Sequence, residues 1–157
     1  MDGLDLSALE RELSGLDRAQ GVRVLTERVV GLAEGELNAV MLGLRPVPES
    51  VSARVLVARV AVLLGVTRGQ AARVLGVSPS RIRRNDVMSL AMLDRVQALC
   101  RQWFAVHRVV GAENAGSWFL ERNPGLDMAR PVDLLATGYG QRRVDNLIEN
   151  LLYGNVV

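Results

Sequence analysis

Few side chains in this sequence can do chemistry. His107 is the only histidine and Cys100 the only cysteine, seven residues apart in a stretch with helical spacing, so two turns separate them on broadly the same side. A Cys/His pair can act as a nucleophile and its base. No third orienting residue and no oxyanion-type loop accompanies this one, so no catalysis is expected. One histidine and one cysteine do not make a metal site. Gly138-Tyr139-Gly140 has only a faint likeness to a phosphate-cradling loop, because no strand precedes it and the lysine is missing. No cofactor follows from these residues.

The cationic residues say more. All 19 are arginines, so every cationic contact is a guanidinium fork, suited to phosphates and guanine edges. Residues 1–50 hold five arginines against nine acids, residues 51–89 seven against one (Asp86), and residues 90–157 seven of each. The net charge of +2 therefore hides a basic block in mid-chain, the footprint of a nucleic-acid contact.

These residues must be positioned by helices. The chain has 157 residues, 49% hydrophobic, which allows one domain or two small ones sharing a core and excludes wholesale disorder. No apolar run approaches the roughly 18–20 residues of a membrane span, and residues 1–13 lack the basic start and apolar stretch of a signal peptide. A lone cysteine excludes a disulfide scaffold and fits a reducing cytoplasm. Apolar residues recur at three- and four-residue steps almost throughout, which predicts an all-α fold.

Leu4, Leu6, Leu9, Leu13 and Leu16 form a first stripe, Gly21 interrupts, and residues 22–42 read as helical again. Arg45-Pro46-Val47-Pro48-Glu49-Ser50 stops any helix and marks a boundary. The acidic segment 1–45 is thus an accessory helical pair or a mobile tail; its pattern fits both. Beyond the boundary, residues 51–65 form a helix, Thr67 caps Arg68–Leu75, and Ser78-Pro79 opens a third helix. A long helix from about Val87 to Val110 buries Met92, Val96, Leu99, Trp103, Val106 and Val110. Shorter helices follow over residues 113–121 and 131–135. The last, residues 141–153, buries Val144, Leu147, Ile148, Leu151 and Leu152.

Residues 67–84 have helix-turn-helix spacing. Ala72 lies four residues before Gly76 and Ile82 six after it. The small side chain lets two helices cross closely, and the glycine takes a turn conformation that penalises a Cβ. Val74, Leu75, Val77 and Ile82 fill the wedge. Ser78, Ser80, Arg81, Arg83 and Arg84 are then free to meet a major groove, the arginines on guanine edges or phosphates. One copy would bind weakly, so specific operator recognition calls for a homodimer reading two half-sites.

The run from Leu93 to Asn155 resembles the toxin-binding domain of the Xre/MbcA/ParS family of antitoxins, partners of RES-domain toxins. The residues that carry the resemblance are Leu93-Asp-Arg-Val96, Val109-Val-Gly-Ala-Glu-Asn-Ala115, Trp118-Phe-Leu120, Asn123-Pro-Gly-Leu126, Arg130-Pro-Val-Asp-Leu-Leu135, Thr137, Gly140 and Leu151-Leu-Tyr-Gly154. In that family an Xre-like helix-turn-helix comes first, which gives residues 51–87 that role and residues 88–157 toxin binding. The family's usual Leu-Gly-Gly before Arg-Pro is Leu126-Asp-Met-Ala129 here, so a different loop conformation is open at that point. Trp118, Pro131 and Leu134 are expected in the core.

The resemblance implies that the C-terminal segment, Tyr153, Gly154, Asn155, Val156 and Val157, sits at the mouth of the active site of an NAD-consuming RES toxin. Arg142, Arg143, Asn146 and Asn150 line the same contact face. The expectation is an antitoxin of a type II toxin–antitoxin system, cytoplasmic, with no membrane partner, that represses its own operon. A stand-alone helix-turn-helix regulator or partition-type protein with no toxin partner is the alternative.

Overall fold

Most helix starts coincide with a side chain that accepts from a free backbone N–H. In a computed structural model, which describes residues 3–78, 80, 82 and 88–154, Asp5 caps α1 (Leu6–Leu13) by accepting from Ser7 and Ala8 N–H. Asp17 and Gln20 form a reciprocal capping box on α2 (Arg18–Val30). Helix α3 (Glu34–Met41) has no side-chain cap but carries Glu34 and Glu36 in its first turn, where acids complement the positive end of the helix. Ser52 caps α4 (Ala53–Leu64), and Thr67 with Gln70 boxes α5 (Arg68–Val74). Ser89 caps α6 (Leu90–Val110). Then come α7 (Ala112–Leu120), a 3-10 turn (Pro124–Leu126), α8 (Pro131–Leu134) and α9 (Gly138–Leu152), the last capped by Thr137. Among the described residues the fold is all-α, with one isolated bridge between Asn123 and Ala129.

Helix α6 is the axle. Leu93, Val96, Leu99, Cys100, Trp103, Phe104 and Val106 are all buried, and α2, α3, α7 and α9 pack around it. The Trp103 indole N–H donates to the Leu63 carbonyl at 3.1 Å. That carbonyl lies in the last turn of α4, where helices run out of internal donors.

The acidic N-terminal segment forms three helices on this axle. Gly21 does not interrupt a helix: it lies buried inside α2, where a Cβ would overlap the Phe104 ring. The break in residues 22–42 falls instead at Gly31, left-handed at φ 83°, which closes α2 with its N–H on Glu27 O at 2.8 Å. The Arg59 guanidinium donates to Val29 O at 2.8 Å from α4 and secures that end. Arg28 pairs with Glu12 at 2.8 Å, and Arg18 reaches Glu149 on α9 at 2.9 Å. One apolar cluster runs from Leu9 to Ile148.

In the basic block α4 and α5 meet at 101°. Gly76 follows α5 at φ 74°, with Val77 N–H on Ala72 O at 2.9 Å, and a Cβ there would overlap the Arg95 guanidinium. Ala72, Val74, Leu75, Val77 and Ile82 are buried, in line with their spacing. The long helix starts at Leu90 rather than near Val87, because Ser89 accepts from Met92 N–H at 3.2 Å. Among the described residues no single helix is long and apolar enough to cross a membrane.

Candidate functional site

The residues expected to meet a toxin lie on α9 and at its end. The inner face of that helix is fixed first. Thr137 accepts from Gly140 N–H at 3.0 Å, and Gly140 is buried so tightly on α8 that a Cβ would overlap the Leu134 carbonyl. The helix therefore begins a turn earlier than residue 141. Val144 and Ile148 enter the core. Gln102 of α6, also buried, donates through Nε2 to Asp145 Oδ1 at 2.8 Å and more weakly to Gln141 O at 3.4 Å. Leu151 was expected in the buried stripe but is 45% exposed. The helix outruns the core: Ile148 is its last buried residue, and only Leu152 packs beyond it.

What remains outward is Tyr139, Arg142, Asn146, Leu151, Tyr153 and Gly154, with Asn150 half-buried. Tyr153 is 69% exposed, and Gly154 turns the chain with φ 66°. Arg143 is not a free surface cation, since its guanidinium donates to Asp127 at 2.9 Å. Asn155, Val156 and Val157 lie outside the described residues.

Asp127 belongs to the loop over residues 123–129, which spacing arguments passed over. Asn123 accepts from Gly125 N–H at 2.9 Å, and its own N–H donates to Ala129 O at 3.1 Å. Asp127 and Met128 adopt φ of 55° and 68°. The left-handed region costs a residue with a Cβ roughly 1–2 kcal/mol, and here two consecutive residues take it where glycines would do so freely. Next to it, Arg130 forks onto both oxygens of Asp133 at 2.8 and 2.9 Å. That hydrogen-bonded fork holds the Asp133 carboxyl below its ordinary range; partial burial opposes the shift, and the Arg130, Arg122 and Arg73 charges add to it. Of the motif residues expected in the core, Pro131 is buried, while Trp118 and Leu134 are half-buried and packed on its edge.

Ser78 and Ser80 are exposed with their hydroxyls 3.3 Å apart. Arg81, Arg83 and Arg84 lie outside the described residues. Cys100 and His107 each have other partners. Cys100 is fully buried, and burial pushes its thiol up to about 12 against the weaker pull of the Thr26 hydrogen bond and Arg101, so almost no thiolate exists at neutral pH. His107 stacks on Trp103 with ring centroids 5.2 Å apart. Burial lowers its pKa, Glu10 opposes and Arg108 adds to the lowering.

Residues 105–154 match the family model described as the antitoxin Xre/MbcA/ParS C-terminal toxin-binding domain. This C-terminal segment is similar to that family's toxin-binding domain. The match begins within α6 and ends on Gly154, so the Xre/MbcA/ParS-type domain comprises the end of the axle, α7, α8, α9 and the strained loop. It is shorter than the run from Leu93 that carried the resemblance. No curated protein and no solved structure matched the chain. The family supports an antitoxin role in a toxin–antitoxin system, with a toxin as partner. Within the domain α7 and α9 pack on α6, α8 packs on α7 and α9, and the outer face of α9 and the loop beside it are left exposed.

Proposed function

We propose that this chain is the antitoxin of a type II toxin–antitoxin system and neutralises a RES-type, NAD-consuming toxin. The observation that carries the reading is the family match over residues 105–154, which ends on an exposed Tyr153-Gly154 terminus of α9. Arg142, Asn146 and Asn150 flank that terminus on one helix and supply polar contacts around it. Arg143 contributes by holding the neighbouring loop. Tyr153, Gly154, Asn155, Val156 and Val157 then enter the mouth of the toxin's active site and keep the dinucleotide out. Residues 51–87 form the DNA-reading unit in this scheme: Ser78, Ser80, Arg81, Arg83 and Arg84 contact the operator of the chain's own operon, with two copies reading two half-sites. Residues 88–157 hold the toxin, residues 1–45 brace them, and the complex is cytoplasmic.

Co-expression with the adjacent reading frame tests this reading. A toxic neighbour that falls silent in a co-purifying complex is expected, with neutralisation lost when residues 153–157 are deleted. A harmless or non-binding neighbour overturns the antitoxin assignment, and full neutralisation by the truncated chain overturns the plug. Replacing Arg81, Arg83 and Arg84 together by Ala is expected to weaken operator binding and lower its salt slope by about 1 per lost phosphate contact. Toxin neutralisation is expected to survive that change.

A further inference from the structure

The loop over residues 123–129 holds its shape against the preference of its own residues. Asp127 and Met128 are consecutive, neither is glycine, and both are left-handed. Such a conformation persists only where the surroundings over-determine it, and it concentrates at functional sites. Here the surroundings do so from three sides. Met128 N–H donates to Asn123 O at 3.0 Å and closes the loop. Arg122 donates to the Met128 carbonyl at 3.1 Å. Arg143 reaches across from α9 to the Asp127 carboxylate at 2.9 Å.

This clamped backbone leaves the Met128 side chain outside. It is 52% exposed, although Leu126, two residues earlier, is fully buried. The loop lies directly against α9: a Cβ on Gly125 would come within 2.7 Å of Leu147, and the Asp127–Arg143 pair bridges the two. Met128 is therefore exposed on a loop tied to the helix that carries Arg142 and Asn146. An unbranched thioether adapts its shape to an apolar socket better than a branched side chain does, and anchors of this kind dominate interfaces once water is excluded around them.

We propose that Met128 is an apolar anchor in the contact with the toxin, seated in an apolar socket of that protein, and that Arg143 is the positioning residue that holds its loop. This rests on the toxin-binding reading above. The test titrates the purified toxin encoded beside this chain against the full chain and its Met128→Ala, Met128→Gly, Met128→Leu and Arg143→Gln variants, with Tm measured for each. Ala and Gly are expected to weaken binding by about tenfold or more, whereas Leu stays within about threefold of the parent. Gly is also expected to raise Tm, because it relieves the left-handed backbone while it removes the anchor. That opposition of stability and affinity separates an anchor from a merely structural residue. Arg143→Gln is expected to weaken binding in the same direction, and to do so less when Met128 is already Ala.

Unchanged affinity in Met128→Ala and Met128→Gly overturns the proposal while leaving toxin binding intact. A parent chain that fails to bind the toxin overturns the reading beneath it instead. If Met128→Ala shifts the protein's own oligomeric state at unchanged toxin affinity, the side chain faces a second copy and the proposal is also overturned.

Discussion

A methyl group at position 21 tests how the N-terminal helices sit on the axle. Helix propensity favours Gly21→Ala by about 1 kcal/mol. The site opposes it, because Gly21 is buried in α2 and its Cβ would overlap the ring of Phe104, itself fully buried. Either the ring leaves its rotamer or the two helices move apart. Overpacking of this kind costs about 1–3 kcal/mol, and so deep an overlap belongs at the upper end. The net expectation is a loss of about 2 kcal/mol, or about 4–8 °C in Tm for a chain of this size. Thermal and urea denaturation followed by far-UV circular dichroism reads it directly. Gly35→Ala is the control: in the first turn of α3 a Cβ meets nothing within 4 Å, so a gain of up to about 0.5 kcal/mol is expected. Adding Phe104→Leu to Gly21→Ala should recover about 1 kcal/mol as a coupling between the two positions. If Gly21→Ala stabilises as Gly35→Ala does, the close approach of α2 to Phe104 is wrong.

Three further outcomes follow from the core. Trp103→Phe should cost about 2–3 kcal/mol in denaturant titration, because the Leu63 carbonyl loses its 3.1 Å donor and a void opens beside it; a loss near zero would remove the indole from its role at the end of α4. Cys100, with its thiol buried and raised to about 12, should react with a thiol reagent only as fast as the protein opens, and prompt labelling in the native state would contradict that burial. His107 has a folded-state pKa below its ordinary 6.5, so the unfolded chain takes up the proton first as pH falls. Stability should be full above about pH 6.5 and decline below it, and His107→Gln should flatten that decline; Asp133, lowered from 3.8, does not titrate in this window.

The all-α class was legible from the spacing of apolar residues, and the start of α5 from its local cap, because Thr67 accepts from the N–H three residues on. Ser52 and Ser89 make the same contact, but the sequence pattern puts those starts at residues 51 and about 87. The burial of Val74, Leu75, Val77 and Ile82 was legible from spacing too. Gly21 and Gly140 were misread because a glycine that breaks a helix and one that admits a neighbour look identical in sequence. What separates them is Phe104, far along the chain, for the one, and the Leu134 carbonyl for the other. Gln102 left no signal either, since its partner Asp145 is 43 residues away. The tie of Arg143 to Asp127 depends on a left-handed backbone at residues without glycine, which composition argues against. On the candidate site, sequence gave the helix and its polar face but not the loop beside it.

The axle also sets an order of events in synthesis. Leu25, Val29 and Val30 of α2 are buried in a core that includes Leu99, Trp103 and Phe104 of α6, and those residues are made later by some 70–80 positions. At about 5–20 residues per second, translation leaves the N-terminal helices without that partner for roughly 4–16 s. Local caps can shape α1, α2 and α3 in that interval, and α4 can meet α2, but the apolar surface that α6 covers stays open until α6 emerges. Helices α1, α2 and α3 are therefore secured later than they are made, and for those seconds the nascent chain presents open apolar surface to whatever waits at the ribosome exit.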